Sequence, residues 1–260
     1  MRKLFAALVT LAMFAFAPNP ALAITHGTRD TDNRYPFVGL LAFRDADGEY
    51  LHRCSGTLIS PTIVLTASHC TIDTSSVHAY FSYQVPDDFR ENPSGIPGTP
   101  HTNPGYDPNT LRNDVAVVEL SSPVNLGTYP TLPRARFLSD LKRTHRIQDD
   151  IFVNVGYGVL DGWPPPDLVL NEDRWWSTSP YLGLTPDDLI LLMTNQATGQ
   201  GGTCGGDSGG PHFWKNTLVI ASVTSWGDTN CVSLDMTQRV DKPSILSWLA
   251  DDFGVTPPSA

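Results

Sequence analysis

The tightest constraint on this chain is its succession of short apolar, β-branched runs, each closed by Gly, Pro, Asp or Ser. Residues 37–43, 56–67, 115–120, 151–155 and 218–224 have strand length and strand composition. Between them, segments such as 86–108 and 161–167 are dense in Pro, Gly, Asp and Asn and read as loops. Residues 242–250 carry a helical pattern, with Ile245, Leu246, Trp248 and Leu249 as an apolar face. A second short helix is expected over 185–193, with Thr185 as cap and Pro186 in the first turn. Many strands and almost no βαβ alternation point to an all-β chain of barrels or sandwiches. Composition agrees. The 260 residues include 21 Gly and 22 Pro, and 40% are hydrophobic, too many for an acidic disordered chain. A net charge of −10 speaks against general nucleic-acid binding, which wants a basic face.

The first residues set the compartment. Arg2 and Lys3 precede an apolar stretch, 4–17, interrupted only by Thr10. It is shorter than the roughly 20 residues of a bilayer span. Pro18 and Pro20 break its helix, and Ala21-Leu22-Ala23 has the small-x-small form that signal peptidase accepts. Residues 1–23 therefore read as a secretory signal peptide, with the protein expected in the extracellular space or the periplasm. A cut after Ala17 would instead leave a short pro-segment, 18–23, and an uncleaved anchor is the remaining alternative. No second apolar run approaches a span, so no membrane association is expected after processing. In an oxidising compartment Cys54, Cys70, Cys204 and Cys231 are expected to form two bridges.

Three stretches carry chemistry. The first is Gly206-Asp207-Ser208-Gly209-Gly210-Pro211. A serine hydroxyl is a poor nucleophile without a base, and it needs backbone N–H groups aimed at the developing oxyanion. Glycine-flanked turns present such groups without Cβ interference. The same G-x-S-x-G also fits an α/β-hydrolase elbow, but there the acid and the histidine follow the serine. Only His212 follows Ser208, four positions on, so the base must lie upstream. His26, His52, His78, His101 and His145 sit among polar or loop residues. His69 closes the β-rich run 63–68 and directly precedes Cys70. The third group is Asp114, an acid entering the apolar run 115–118, which burial would disfavour unless it has a partner such as His69.

At these residues the chain resembles the chymotrypsin/trypsin-type serine proteases. Cys54-Ser55-Gly56-Thr57-Leu58-Ile59 and Thr66-Ala67-Ser68-His69-Cys70 match the histidine region, Asp114-Val115-Ala116-Val117-Val118 the aspartate region, and 206–211 the serine region. Ser225-Trp226-Gly227 matches the strand that pairs with substrate backbone. The likeness runs from Ile24 to Trp248. It implies two packed six-stranded antiparallel β-barrels, 24–135 and 136–253, the second ending in a helix, followed by a tail at 254–260. It also implies a His69–Asp114–Ser208 triad acting through an acyl-enzyme, an oxyanion hole from the N–H groups of Gly206 and Ser208, and bridges Cys54–Cys70 and Cys204–Cys231. Protein or peptide substrates, protein protease inhibitors as further partners, and a monomeric state follow from the same likeness. No metal or other cofactor is expected, since the sequence contains no HExxH or CxxC. A catalytically silent relative serving as a binding or regulatory module is the alternative; such relatives usually lose a triad member or the oxyanion-loop glycine, and this chain keeps them all. Within the enzyme class, a glutamate-specific or esterolytic variant is the runner-up.

Two departures from the family pattern stand out. Many relatives are activated by a cut after Arg or Lys that frees an Ile ammonium to pair with the aspartate before the catalytic serine, here Asp207. In this chain Ala23 precedes Ile24, so removal of the signal peptide would itself create the activating terminus. In the specificity pocket, Gly202, beside Thr203, stands where trypsin-like relatives carry an aspartate. Asp235 falls where the opposite wall usually has Gly, which tilts the expectation toward basic or mixed preference; a shifted surface loop is the other account of Asp235. The adjacent Trp175 and Trp176 are either core or an exposed substrate contact.

Overall fold

A computed structural model describes residues 24, 27–159, 172–193 and 200–259. In chain order the elements are β1 (Thr28–Arg29), β2 (Val38–Arg44), β3 (Tyr50–Leu58), β4 (Ile63–Thr66), α1 (Ser68–Thr71), β5 (Ser76–Tyr80), β6 (Ile96–Thr102), β7 (Ala116–Leu120) and α2 (Phe137–Arg143). The second half contributes β8 (Ile151–Gly156), β9 (Trp175–Leu184), β10 (Asp188–Leu192), β11 (Pro211–Trp214), β12 (Ile220–Gly227), β13 (Leu234–Arg239) and α3 (Pro243–Phe253). All pairings between these strands are antiparallel. The order β2-β3-β4-β7-β6-β5 closes on itself through β5 and β2. A second circuit, β8-β9-β10-β13-β12-β11, closes through β11 and β8, with β1 joined to β9. These are the two six-stranded barrels that the family likeness implied. Closure removes the exposed edges that a sheet of short strands would otherwise present.

Three local expectations need correction. The run 56–67 is two strands, because the chain turns between Leu58 and Ile63 and lays β3 against β4. The expected loop 86–108 contains β6. Pro97 and Pro100 each remove a ladder donor there, yet β6 pairs with both β5 and β7 and completes the barrel wall. The expected helix at 185–193 is instead the strand β10. Leu189 and Leu191 are buried while Asp188, Ile190 and Leu192 are half-buried, a period of two, and both neighbours, β9 and β13, offer hydrogen bonds. Thr185 Oγ1 does accept the N–H of Asp188, but as a turn before a strand. The expected loop at 161–167 lies outside the described residues.

The C-terminal helix is as expected. Pro243 opens it, Ile245, Leu246 and Leu249 are buried, and Gly254 at φ 69° ends it in the left-handed conformation. The Trp pair belongs to β9, where Trp175 is buried. Trp176 packs against Tyr35 (ring centroids 6.0 Å apart) under the Arg34 guanidinium, so both serve packing.

Candidate active site

His69 lies in α1, the single turn that follows β4. Cys54–Cys70 ties this turn to β3 across 16 residues, a closure worth about 3 kcal/mol by loop entropy. Ser68 Oγ donates to Val115 O (2.8 Å), so the turn is also fastened to the start of β7. Asp114, fully buried, sits just before that strand, after Asn113 at φ 57°. Its Oδ1 accepts the His69 backbone N–H (2.8 Å). Its Oδ2 accepts from His69 Nδ1 (2.7 Å) and from Ser225 Oγ (2.5 Å). A carboxylate at Nδ1 keeps the proton on that nitrogen and leaves Nε2 as the basic one. The backbone N–H of Asp114 donates to Gln238 Oε1 (3.1 Å), across the seam between the barrels.

Ser208 sits on the opposite side of that seam. Its carbonyl accepts the N–H of Ser55 in β3 (2.8 Å), which moors the serine loop to the first barrel. Gly206 at φ 95° and Gly209 at φ 77° take conformations that disfavour a side chain. A Cβ at Gly209 would lie 2.6 Å from Ser55 O, so the close approach also requires glycine. Among the described residues no hydrogen bond joins Ser208 to His69; catalytic hydrogen bonds of this kind are commonly long without substrate. Asp207 is fully buried, its carboxylate taking the N–H groups of Gly158 (2.8 Å) and Cys204 (2.9 Å). Burial pushes its carboxyl up to about 7, against the pull of those two N–H groups and of Arg53. Ile24 is buried too, with φ 52°, and its nitrogen is still a peptide amide in the full-length chain.

A cavity of about 330 Å³ opens beside Ser208. Thr203, Ser225, Trp226 and Gly227 line it, together with Met193, and Trp226 is 49% exposed. Cys204–Cys231 borders it. Gly202 does not line it; a Cβ there would run into the Met193 side chain. Asp235 is buried in β13 behind Thr203, whose hydroxyl donates to its Oδ2 (2.7 Å). This excludes the surface-loop account. Cys54, His69 and Cys70 bring ligand-type atoms within 4.8 Å, but both sulfurs are spent in the bridge.

Sequence reasoning missed Gln238 as the group holding the Asp114 backbone, and it gave His212 no role. Neither stands in a recognisable motif, since each acts through a strand register.

An imidazole held by a buried carboxylate, across a two-barrel seam from a glycine-flanked serine, is the arrangement of chymotrypsin-like folds. The chain belongs to the trypsin family, whose sequence model matches residues 24–137 and 187–249. It is 26% identical over 241 residues to alkaline trypsin B of Manduca sexta, covering 87% of this chain and 90% of that protein. It is 25% identical over 223 residues to coagulation factor IX of Oryctolagus cuniculus, covering 79% of this chain and 75% of that one. Among solved structures HL collagenase superposes with a TM-score of 0.68 at 18% identity, over 88% of this chain and 98% of that chain.

Proposed function

We propose that this chain is a secreted serine endopeptidase that becomes active when its signal peptide is removed. The observation that carries the reading is the His69–Asp114 pair, with Nε2 left basic, across the seam from Ser208 at the mouth of a side-chain-sized cavity. Ser208 Oγ attacks the peptide carbonyl while His69 Nε2 takes its proton and later delivers it to the leaving amine. Asp114 holds the imidazole and stabilises its charged form. The N–H groups of Gly206 and Ser208 receive the oxyanion, a contribution of about 3 kcal/mol per donor. The acyl-enzyme is then released by water through the same steps in reverse.

Activation follows from Asp207. A buried carboxyl that, among the described residues, takes hydrogen bonds from two backbone N–H groups is a ready partner for an ammonium, and cleavage after Ala23 would supply one at Ile24. An α-amino group of ordinary pKa near 7.7–8.0 is raised by such pairing. The pair's contribution is complete below the ordinary value and lost as pH rises through the raised one. Among the described residues no helix is long and apolar enough to cross a membrane.

A fluorophosphonate probe tests the reading. Correctly processed protein should be labelled, and Ser208→Ala should not; absence of labelling in folded, processed protein would favour the silent binding module. Mass-spectrometric sequencing of the active form should find Ile24 at its start, and any other terminus removes the activation step.

A further inference from the structure

The second barrel contains a buried polar chain that ends behind the specificity cavity, and its proton positions can be assigned from one end. Ser179 Oγ donates to Gly201 O (2.6 Å), so it can only accept from Asn154 (2.6 Å), whose facing atom is therefore Nδ2. Asn154 Oδ1 is then turned to His212 Nδ1 (2.7 Å), and that nitrogen must carry the ring proton. His212 Nε2 is left with a lone pair. It accepts from Thr224 Oγ1 (2.9 Å) and lies 3.6 Å from Asp235 Oδ2. His212 and Asp235 are both buried, and Asp235 Oδ1 has no hydrogen-bond partner.

An unprotonated nitrogen facing a carboxyl oxygen repels a carboxylate and favours the acid form. The other surroundings push the same way. The serine loop brings Asp207 near, the segment after β12 brings Asp228, and β10 presents Leu191 opposite. Against them stands Thr203 on the cavity side, whose hydroxyl donates to Oδ2 and whose backbone N–H also favours the carboxylate. Among the described residues no Lys or Arg pairs with Asp235.

We propose that His212 is a positioning residue for primary specificity. Its unprotonated Nε2 keeps Asp235 uncharged in acid and leaves it free to ionise in alkali or when a cation enters. The cavity then prefers uncharged side chains at low pH and basic ones at high pH. Burial, with Asp207 and Asp228 adding to it, raises the Asp235 carboxyl to about 7, and burial lowers the His212 imidazole to about 3. The crossover therefore falls near neutrality, with the proton leaving Asp235 for solvent and His212 neutral throughout. This rests on the reading of the Ser208 cavity as a protease specificity pocket.

The measurement is the kcat/KM ratio of two peptide amides that differ only in Arg against Leu before the scissile bond, followed from about pH 5.5 to about pH 9. Ionisations common to both reactions act on both substrates and divide out. The ratio should rise about tenfold, as one buried charge warrants. Asp235→Asn should flatten it. His212→Leu removes the lone pair and should move the inflection to lower pH, which a merely structural role would not do. A second measurement needs no variant. Binding of an alkylguanidine to the wild-type protein near pH 6.5, by calorimetry in buffers of different ionisation enthalpy, should release a proton, approaching one per ligand. A flat ratio in wild type, or guanidine binding without proton release, overturns the proposal. An unmoved inflection in folded His212→Leu removes His212 from it. Failure of fluorophosphonate labelling with proton release intact would instead overturn the protease reading.

Discussion

The two barrels share a topology and differ in what fills them. The first is packed with Val38, Leu40, Leu41, Phe43, Leu58, Val64, Leu65, Val77 and Val117, and the buried polar residues of its strands are Arg44, Arg53, Ser55, Thr57 and Thr66. The second adds Asn154, Ser177, Ser179, His212, Ser222, Thr224, Asp235 and Thr237 to its apolar residues. Burying so many polar groups is tolerable because they hydrogen-bond one another, with Asp235 Oδ1 left as an exception. The first barrel thus supplies rigid placement for His69 and Asp114, whereas the second supplies Ser208 and polar surroundings behind the cavity beside it. Position is cheaply held by an apolar core. Tuned charge requires polar groups and their hydrogen bonds.

The comparison breaks most visibly at the seam. Asp114→Asn should leave the fold intact and lower kcat by about 10⁴-fold, because the imidazole loses its orienting carboxylate. A loss below about tenfold, measured on peptide amides, would mean that His69 does not depend on the first barrel for its tautomer. Next in size is the core itself. Leu41→Ala should cost about 2–5 kcal/mol in urea unfolding with the Arg-to-Leu substrate ratio unchanged, since the cavity it opens lies in the first barrel. Asn154→Leu should cost less, about 1–3 kcal/mol for the unpaired His212 N–H, yet disturb that ratio. Equal behaviour of the two variants would erase the distinction between the barrels. Gln238→Leu tests the seam from the other side: it strips the acceptor from the Asp114 N–H and should lower kcat by about tenfold at nearly constant KM.

A further effect is on stability against pH. Asp207 and Asp235 are both raised to about 7, so the native state holds protons that the unfolded chain has given up. Their contribution is full below the ordinary carboxylate range and is lost as pH rises to about 7. In Ser208→Ala protein that retains residues before Ile24, the urea midpoint should therefore be lower at pH 8 than at pH 5. Protein beginning at Ile24 should lose less, because the new ammonium stabilises the Asp207 carboxylate. Identical shifts in the two forms would separate Asp207 from the terminus.

Much of the fold was readable because apolar runs of strand length, turn residues and the histidine and serine motifs all concern neighbouring residues. The errors arose where pairing partners decide. Residues 185–193 carry a cap-like Thr185 and Pro186, a locally sound helix start, but β9 and β13 leave a gap that only a strand fills. Residues 96–102 hold two prolines and still form a barrel wall, because β5 and β7 stand on either side. Of the candidate site, His69, Asp114, Ser208 and the glycines beside it were visible as motifs, whereas Gln238, Asn154 and His212 were not. Each of those sits at an ordinary strand position and becomes significant only through which side chain faces it across the barrel.

The sequence alone determined the short-strand architecture, the glycine-flanked serine, the order of His69, Asp114 and Ser208, and the apolar stretch ahead of Ile24. Those are statements about residue type and spacing, and chain connectivity preserves them. Tertiary structure decided that Asp235 lies buried behind Thr203 with an unprotonated imidazole nitrogen beside it, and that Gly202 is covered by Met193. Charge state depends on what surrounds a group in space, and β11, β12 and β13 meet around Asp235 only once the second barrel has closed.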